Sequence, residues 1–208
     1  DPNQLKELIG GYMPVVMFDR SFVNSSFNHV INDNFMGAYA ATSHLIEQGF
    51  RRIIHLAGPQ HVHIYYERNR GYLKALEDHQ IRWQPEWQMD GVLTRKKGED
   101  AMQRLDESHI PYDAVFASGD YAALGAILYL QSKGVNIPAE VGVAGFANEP
   151  FTELIGMTSV EQFSTEIGES AASLLLKDVN EKTVSENRVI VVPPKLIIRK
   201  STNRQINR

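Results

Sequence analysis

Three charged residues stand where apolar runs of the sequence give way to loops or helices. Asp19 follows residues 14–18, Asp120 follows residues 113–117 after two small residues, and Arg68 opens a helical segment. A guanidinium group forms paired hydrogen bonds with carboxylates, and carboxylates accept hydrogen bonds from hydroxyls. These residues therefore predict a binding site for the hydroxyl or carboxylate groups of a small polar ligand. The alternative is that they form surface ion pairs or cap helices, with Asp120 as the N-cap of a helix that begins at Tyr121.

Strands and helices alternate through nearly the whole chain and would position these residues. Apolar runs predict strands, and apolar residues at helical spacing predict helices. The predicted strands are residues 14–18, 52–57, 87–93, 113–117, 141–146, 189–192 and 196–198, and the predicted helices are residues 34–48, 68–79, 98–108, 121–133 and 165–177. This order is typical of an α/β fold in which right-handed crossovers build a parallel sheet.

Ligands of such sheets bind beyond the carboxyl ends of the strands. The residues that follow the predicted strands are therefore expected to meet at one edge: Asp19, Gly58, Leu93, Asp120 and Ala147. Arg68 begins the helix after Gly58, so its side chain is expected to face the same crevice. Ala147 is unexpected there, because a site at this edge usually has a polar side chain.

The composition narrows the class of protein. The 208 residues are 43% hydrophobic and 22% charged, with a net charge of −4 and no cysteine. Disulfides and thiolate chemistry are therefore excluded, and a reducing cytoplasm fits. The basic clusters at residues 51–52 and 95–97 are short and far apart, which favours solvated surface over a nucleic-acid-binding patch. The apolar run of residues 122–130 is far shorter than the roughly 20 residues of a membrane span, so we expect a cytoplasmic protein without membrane contact.

No motif of a known reaction occurs in the sequence. It lacks a Gly-x-Gly-x-x-Gly or Walker loop and a Gly-x-Ser-x-Gly elbow, and no carboxylates are spaced for acid–base catalysis. His61 and His63 form a close histidine pair, but no carboxylate or cysteine completes a metal set, which favours a solvated loop. We therefore expect a protein that is not an enzyme and that binds no cofactor or metal.

Several segments, in this order and spacing, resemble one family: PVVMFDR, VINDNFMGAYAATSHLIEQGFRRIIHLAG, RNRGYLKAL, AVFASGDYAALGAILYLQSKGVNIPAEVGVAGF, TSVEQ and PPKLIIRKST. They are similar to the effector-binding core of LacI/GalR-type transcriptional regulators over about residues 5–202. The closing Arg-Lys-Ser-Thr and the Ile-Pro-Ala-Glu-Val segment favour regulators over periplasmic sugar-binding proteins. The resemblance implies a periplasmic-binding-protein-like type I fold, in which two Rossmann-like parallel-sheet lobes hold the effector between them.

The resemblance also implies that the N-terminal lobe is incomplete, since the family's helix-turn-helix, hinge helix and first half of that lobe have no counterpart before Leu5. Residues 1–20 would end the N-terminal lobe and residues 21–147 would form the C-terminal lobe. Residues 148–182 would return to the N-terminal lobe, residues 183–202 would supply the final strands of the C-terminal lobe, and residues 203–208 would form a tail. A truncated lobe is expected to expose apolar surface.

The family's effector site carries over onto four residues that keep its side-chain chemistry. Asp19 matches the acidic residue that ends the strand before the first crossover. Arg68 matches the arginine that binds effector hydroxyls or carboxylates, and Asp120 matches the aspartate of an Asn-Asp pair. Gln162 matches a glutamine that follows a Thr-Thr pattern. The resemblance thus assigns these four side chains to ligand binding.

Three other positions of that site depart from the family. Leu93 replaces a frequent aromatic residue, Gly119 replaces the asparagine of the Asn-Asp pair, and Ala147 replaces the first aspartate of Gly-Phe-Asp-Asp, which grips sugar hydroxyls. We therefore expect an effector other than a simple monosaccharide held in the usual way, with larger, anionic or partly apolar ligands fitting better. The alternative is a core that has lost effector control and responds to a protein partner.

The expected function is that of a homodimeric repressor or activator whose core binds a small metabolite, a sugar or sugar derivative, and thereby changes operator affinity. Operator DNA would bind the missing N-terminal domain. Residues 122–130 and 151–155 would form the dimer interface, although the first segment is equally consistent with intramolecular core. The alternative function is an extracytoplasmic sugar-binding receptor of a transporter. An enzyme on the same scaffold would need a catalytic constellation that is absent from the sequence.

Overall fold

The computed structural model describes residues 13–20, 25–181 and 188–204, together with residues 4, 7 and 8. In chain order its elements are β1 (Val16–Phe18), β2 (Asn28–Asn32), α1 (Asn34–Glu47), β3 (Ile53–Leu56), α2 (His63–Asp78), a 3₁₀ helix (Pro85–Trp87), β4 (Gln88–Met89), α3 (Arg95–Glu107), β5 (Ala114–Ala117), α4 (Asp120–Ser132), β6 (Gly142–Ala147), α5 (Phe151–Leu154), β7 (Thr158–Glu161), α6 (Ser164–Glu181), β8 (Val189–Val192) and β9 (Lys195–Ile197). They form an α/β protein with parallel sheets, as the sequence predicts.

The chain forms two compact units. The three-stranded unit comprises Asp1–Asp33 and Phe163–Pro193, and the six-stranded unit comprises Asn34–Gln162 and Pro194–Arg208. These boundaries differ from the lobe boundaries expected after residues 20, 147 and 182. β2 pairs with β1, and β8 pairs with β2, so both strands belong to the three-stranded unit. The expectation that the strand at residues 189–192 returns to the larger lobe is therefore wrong. Residues 205–208 of the expected tail lie outside the described residues.

The six-stranded unit is built on one sheet with strand order β4-β3-β5-β6-β7-β9. β9 runs antiparallel to β7, and the other neighbours are parallel. Its strands β3 and β5 are buried along their whole length, which explains why their sequences are apolar apart from His55 in β3. The helices pack as two close pairs, α1 with α2 and α3 with α4. The carboxyl ends of the five parallel strands consequently lie along one edge of the sheet, where the functional residues were expected.

Two helices begin earlier than the apolar pattern predicts. α3 begins at Arg95 instead of Gly98, because the Thr94 hydroxyl accepts a hydrogen bond from the Lys97 amide at 3.3 Å and caps the helix. α2 begins at His63 instead of Arg68, so the predicted site residue Arg68 lies in the second turn of its helix rather than at its start. This position allows the Arg68 side chain to turn back towards the strand ends.

The three-stranded unit has a small apolar core and an exposed apolar strand. Val30, Ile167, Ala171 and Val192 form the buried cluster. In β8 the side chains of residues 189–191 are exposed, as is Phe18 at the end of β1. Apolar side chains are therefore exposed on the described part of this unit. Among the helices described, none has the length and apolar character required to cross a lipid bilayer.

Candidate functional site

Arg68 is the centre of the polar cluster at the carboxyl edge of the six-stranded sheet. Its guanidinium group donates from Nε to Asn34 Oδ1 at 2.8 Å, from Nη1 to the Ser118 carbonyl at 2.7 Å and from Nη2 to Gln162 Oε1 at 3.4 Å. It lies 3.7 Å from the centroid of the Phe146 ring. Although it is charged, Arg68 is only 5% exposed. Bonded acceptors and an aromatic face compensate for the desolvation of such a cation.

The partners of Arg68 explain why it occupies the sheet edge. Asn34 is the first residue of α1, while Ser118 and Gln162 directly follow β5 and β7. One side chain from α2 therefore connects the ends of two strands and the start of a helix. The structure brings Arg68 and Gln162 together, as the sequence predicts for ligand-binding residues. The sequence analysis missed Asn34 and the backbone carbonyl of Ser118, because neither asparagine nor a carbonyl group carries a distinctive motif.

A buried histidine supports this cluster from inside the unit. His55 in β3 is fully buried, and its Nε2 lies 2.8 Å from Ser118 Oγ while its Nδ1 lies 3.1 Å from Asn69 Oδ1. Because an amide oxygen only accepts, Nδ1 donates to Asn69, and Nε2 accepts from the Ser118 hydroxyl. Burial lowers the pKa of His55 to about 3, the Asn69 hydrogen bond opposes that shift, and the Arg68 charge adds to it. The ring is therefore neutral, and sequence analysis had treated it only as a strand residue.

Asp120 points into the sheet. The residue is 1% exposed, its Oδ1 accepts from the Ser159 hydroxyl at 2.6 Å, and its Oδ2 accepts from the Glu149 amide at 2.8 Å. The N-cap of α4 is Gly119, without a side-chain capping bond, so the alternative in which Asp120 caps this helix is wrong. The alternative of surface ion pairs is wrong for Asp120 and Arg68 as well, because both are buried.

The turn after β6, residues 147–150 (hereafter the β6 turn), has an unusual backbone. Ala147 has φ of 122° and Asn148 has φ of 54°, a region that favours glycine. The Asn148 side chain accepts from Arg199 Nη2 at 2.9 Å and donates to Glu161 Oε2 at 2.7 Å. Ala147 is half-buried. The alanine that was unexpected at this edge thus has a strained backbone conformation, which the hydrogen bonds of its neighbours maintain.

Replacing Ala147 with glycine is expected to stabilise the protein. Relief of strain at φ of 122° should exceed the entropy that glycine adds to the unfolded chain, for a net gain of about 1 kcal/mol and roughly 3 °C in Tm. Urea unfolding followed by tryptophan fluorescence measures this change, since Trp83 and Trp87 both lie in the six-stranded unit. The control Ala144→Gly, at a buried β6 position outside the positive-φ residues, should destabilise. A loss of stability in Ala147→Gly would contradict the assignment of strain.

Two further predicted site residues are Leu93 in the six-stranded unit and Asp19 in the three-stranded unit. Leu93 is half-buried and lies between β4 and α3 in the chain. Asp19 follows β1 in the three-stranded unit, where it is exposed, has φ of 59° and donates its amide to the Val30 carbonyl at 3.2 Å. Within the described ranges, no group of three or more histidine or acidic residues could hold a metal ion.

Comparison with known proteins assigns this fold to a family. A family model described as a periplasmic binding protein-like domain matches residues 42–202. The HTH-type transcriptional repressor PurR of Serratia proteamaculans (strain 568) is 35% identical over 208 residues, which cover 96% of this chain and 60% of the relative. PurR of Proteus mirabilis (strain HI4320) is 34% identical with the same coverage. The chain therefore spans about three fifths of the length of these curated relatives.

Solved structures give the same result. The transcriptional regulator CelR in complex with cellobiose superimposes with a TM-score of 0.86 at 31% identity, covering 96% of this chain and 61% of that chain. The transcription regulator CcpA of Lactococcus lactis superimposes with a TM-score of 0.85 at 26% identity, covering 97% of this chain and 74% of that one. The chain therefore belongs to the periplasmic binding protein-like family, as the effector-binding core of a LacI-type transcriptional regulator.

Proposed function

We propose that the polar cluster around Arg68 binds a small-molecule effector and that this binding changes the operator affinity of the complete regulator. The observation that carries the proposal is the position of Arg68 at the carboxyl ends of β5 and β7, with donors directed at Ser118 and Gln162. Ligands of parallel sheets bind at this edge. An effector that competes for these hydrogen bonds would bind one arrangement of the protein better than another, which is the condition for switching.

The chemistry of the edge favours an effector other than a simple neutral monosaccharide. Ala147 and Gly119 offer no side-chain acceptor for sugar hydroxyls, and Leu93 offers no aromatic face. Arg68 supplies a paired hydrogen-bond donor, which suits a carboxylate, a phosphate or neighbouring hydroxyls. The CelR relative was solved with cellobiose, a disaccharide. We propose a larger or anionic sugar derivative for this chain.

Dimerisation and DNA binding complete the proposed function. In α4, most apolar residues of the segment 122–130 are buried in the six-stranded unit, which favours their role as core. Tyr121 and Leu128 remain exposed, as do Leu154 and Ile155 at the end of α5. The Tyr121 and Phe151 rings lie 5.2 Å apart, so these side chains supply an apolar surface for a homodimer. Operator DNA would bind an N-terminal domain like that of the HTH-type relatives.

A transporter receptor is the less favoured function. The relatives reported above are transcriptional regulators, and the curated ones are repressors. They also favour a regulator over an enzyme, and a cytoplasmic protein over an extracytoplasmic one.

A thermal-shift screen tests the proposal. The panel contains cellobiose and other oligosaccharides, monosaccharides, sugar phosphates, uronic acids and nucleobases. A ligand at about 100 times its Kd stabilises the folded state by about 2.7 kcal/mol, which is roughly 5–10 °C in Tm for a chain of this size. Arg68→Ala is expected to abolish the shift, and Arg68→Lys, which keeps the charge without the paired donors, is expected to weaken binding about 10- to 100-fold.

The matched control is Arg70→Ala, two residues further along α2. Arg70 is exposed and pairs with Glu67 at 3.0 Å on the helix surface, so its removal should leave the shift intact. Loss of the shift in both variants would indicate damage to α2 instead of loss of a ligand contact. A wild-type protein whose Tm none of these compounds shifts would contradict the proposal and favour control by a protein partner.

A further inference from the structure

We propose that Asp120 is a positioning residue: together with Ser159 and Arg199 it fixes the β6 turn and influences an effector only through that turn. The proposal rests on the proposed function, since it takes the sheet edge to be the effector site. It also changes the role that the family resemblance implies for Asp120, from ligand contact to support of the backbone.

The Asp120 side chain is directed at protein groups. Both carboxylate oxygens accept hydrogen bonds from protein groups, and the residue is 1% exposed. A Cβ atom added to Gly145 would lie 2.1 Å from Asp120 Oδ1. The carboxylate therefore packs against the backbone of β6, in space that only glycine at position 145 leaves open. A ligand beyond the strand ends could reach Asp120 only by displacing the Ser159 hydroxyl or the Glu149 amide.

The backbone of the β6 turn needs surrounding contacts to hold its conformation. Ala147 and Asn148 have φ of 122° and 54°, conformations that persist when surrounding contacts impose them. Ser159 Oγ accepts from the Asn148 amide at 3.0 Å while it donates to Asp120. Asp120 Oδ2 accepts from the next amide, that of Glu149. The carboxylate and the hydroxyl thus hold two successive amides of the turn.

Arg199 of the C-terminal segment also holds the β6 turn by hydrogen bonds. Arg199 donates from Nη2 to Asn148 Oδ1 at 2.9 Å and from Nη1 to the Met157 carbonyl at 2.9 Å. Asn148 also accepts from the Thr152 hydroxyl at 3.1 Å. The turn is therefore held through its backbone by Asp120 and Ser159 and through its one amide side chain by Arg199 and Thr152. The position of Ala147 follows from these bonds.

The ionisation of Asp120 gives a signal that reports on this contact. The pKa of Asp120 is raised to about 6, mainly by burial and to a smaller extent by the nearby Glu149 carboxylate. The hydrogen bonds from Ser159 and the Glu149 amide and the charge of Arg68 oppose the shift. The carboxylate is consequently ionised at pH 7.5 and protonated at pH 5. The Glu149 amide, which donates directly to it, should experience that change of charge.

The experiment is an NMR pH titration of the ¹⁵N-labelled chain, which requires no effector. In the wild type, the Glu149 amide resonance is expected to move between pH 8 and pH 5 with a midpoint near 6. Asp120→Asn is expected to remove this titration. Ser159→Ala, which leaves the carboxylate in place, is expected to speed hydrogen exchange of the Asn148 amide at least tenfold. The two variants test the two supports separately.

Asp113→Asn is the matched control, because Asp113 Oδ1 also accepts two successive backbone amides, those of Arg51 and Arg52. It should leave the Glu149 titration and Asn148 exchange unchanged. A wild-type Glu149 resonance that does not move with pH would overturn the proposal. So would an Asn148 amide that Ser159→Ala leaves protected. Either result leaves the proposed function intact, whereas failure of the effector screen would remove only the influence of Asp120 on an effector and leave its support of the β6 turn intact.

Discussion

Replacing Gly125 with alanine is expected to lower the free energy of unfolding of the six-stranded unit by about 3 kcal/mol, the upper end of the usual cost of overpacking. A Cβ atom at Gly125 would lie 2.1 Å from the Arg95 carbonyl oxygen and 2.9 Å from the Glu99 amide nitrogen. Both atoms are backbone of α3, so a rotamer change cannot relieve the overlap. The α3–α4 pair would have to separate, although alanine is the better helix former.

The control is Gly119→Ala, the same substitution at the N-cap of the same helix. A Cβ atom at Gly119 would meet no atom within 4 Å, so the change should cost no more than about 1 kcal/mol, the usual difference between a favourable N-cap residue and alanine. Urea unfolding followed by tryptophan fluorescence compares the two variants. Equal stability of Gly125→Ala and the wild type would show that α3 and α4 are less closely packed than the structure indicates.

The hydrophobic pattern predicted the strands and helices that bury apolar side chains, and it missed two strands that bury polar side chains. β5 and most of β6 are continuous apolar runs, β3 is apolar apart from His55, and all three lie where they were predicted. β2 and β7 were not predicted as strands, because their sequences, NHVIN and TSVE, are mostly polar. The buried Asn28 donates to Asp178 at 3.1 Å, and the buried Asn32 donates to the Val192 carbonyl at 3.0 Å. These partners are some 150 residues away and leave no local signal.

The missed β2 also explains the misplaced unit boundary. With no strand predicted between residues 21 and 33, the sequence analysis began the larger lobe immediately after Arg20. The structure adds β2 to the sheet of β1 instead, and the larger unit begins at Asn34.

The candidate site was predictable in position but not in the roles of its side chains. The rule that ligands bind beyond strand ends selected Arg68, Asp120 and Ala147, and the family resemblance added Gln162; all four lie at that edge of the six-stranded sheet. It could not show that Asp120 points into the sheet, since side-chain direction depends on Gly145 and Ser159 in other elements. His55 was missed because a histidine within an apolar strand has no sequence signature.

Acidification is expected to destabilise the wild type relative to His55→Gln. Burial lowers the pKa of His55 from 6.5 to about 3, so the unfolded chain binds a proton in this pH range that the folded protein does not. The stability contributed by a neutral His55 is therefore present above pH 6.5 and is lost as the pH falls towards 3. Between pH 7.5 and 4.5 the wild type should lose about 3 kcal/mol relative to His55→Gln.

Ionisation of Asp120 changes the stability of the protein with pH in the opposite direction over part of the same pH range. Burial raises its pKa from 3.8 to about 6, so its contribution to stability is present below pH 3.8 and is lost as the pH rises through 6. The pH dependence of the free energy of unfolding of the wild type therefore understates the effects of both His55 and Asp120. The quantity to measure is the difference in free energy of unfolding between His55→Gln and the wild type. Urea unfolding at a series of pH values, followed by tryptophan fluorescence, provides it.

At pH 7.5 the wild type should be the more stable protein, because glutamine loses the stacking of His55 on Phe116 and Tyr72 at 5.1 and 4.7 Å between ring centroids. Below about pH 5, His55→Gln should be more stable than the wild type. His44→Gln is the comparison, since burial also lowers the pKa of His44 but Glu47 opposes the shift, and its effect on the slope should be smaller. A difference between wild type and His55→Gln that is constant with pH would show that His55 accepts a proton in the folded state. The hydrogen bond from the Ser118 hydroxyl, and with it the support of the carbonyl that holds Arg68, would then be lost within the physiological range of pH.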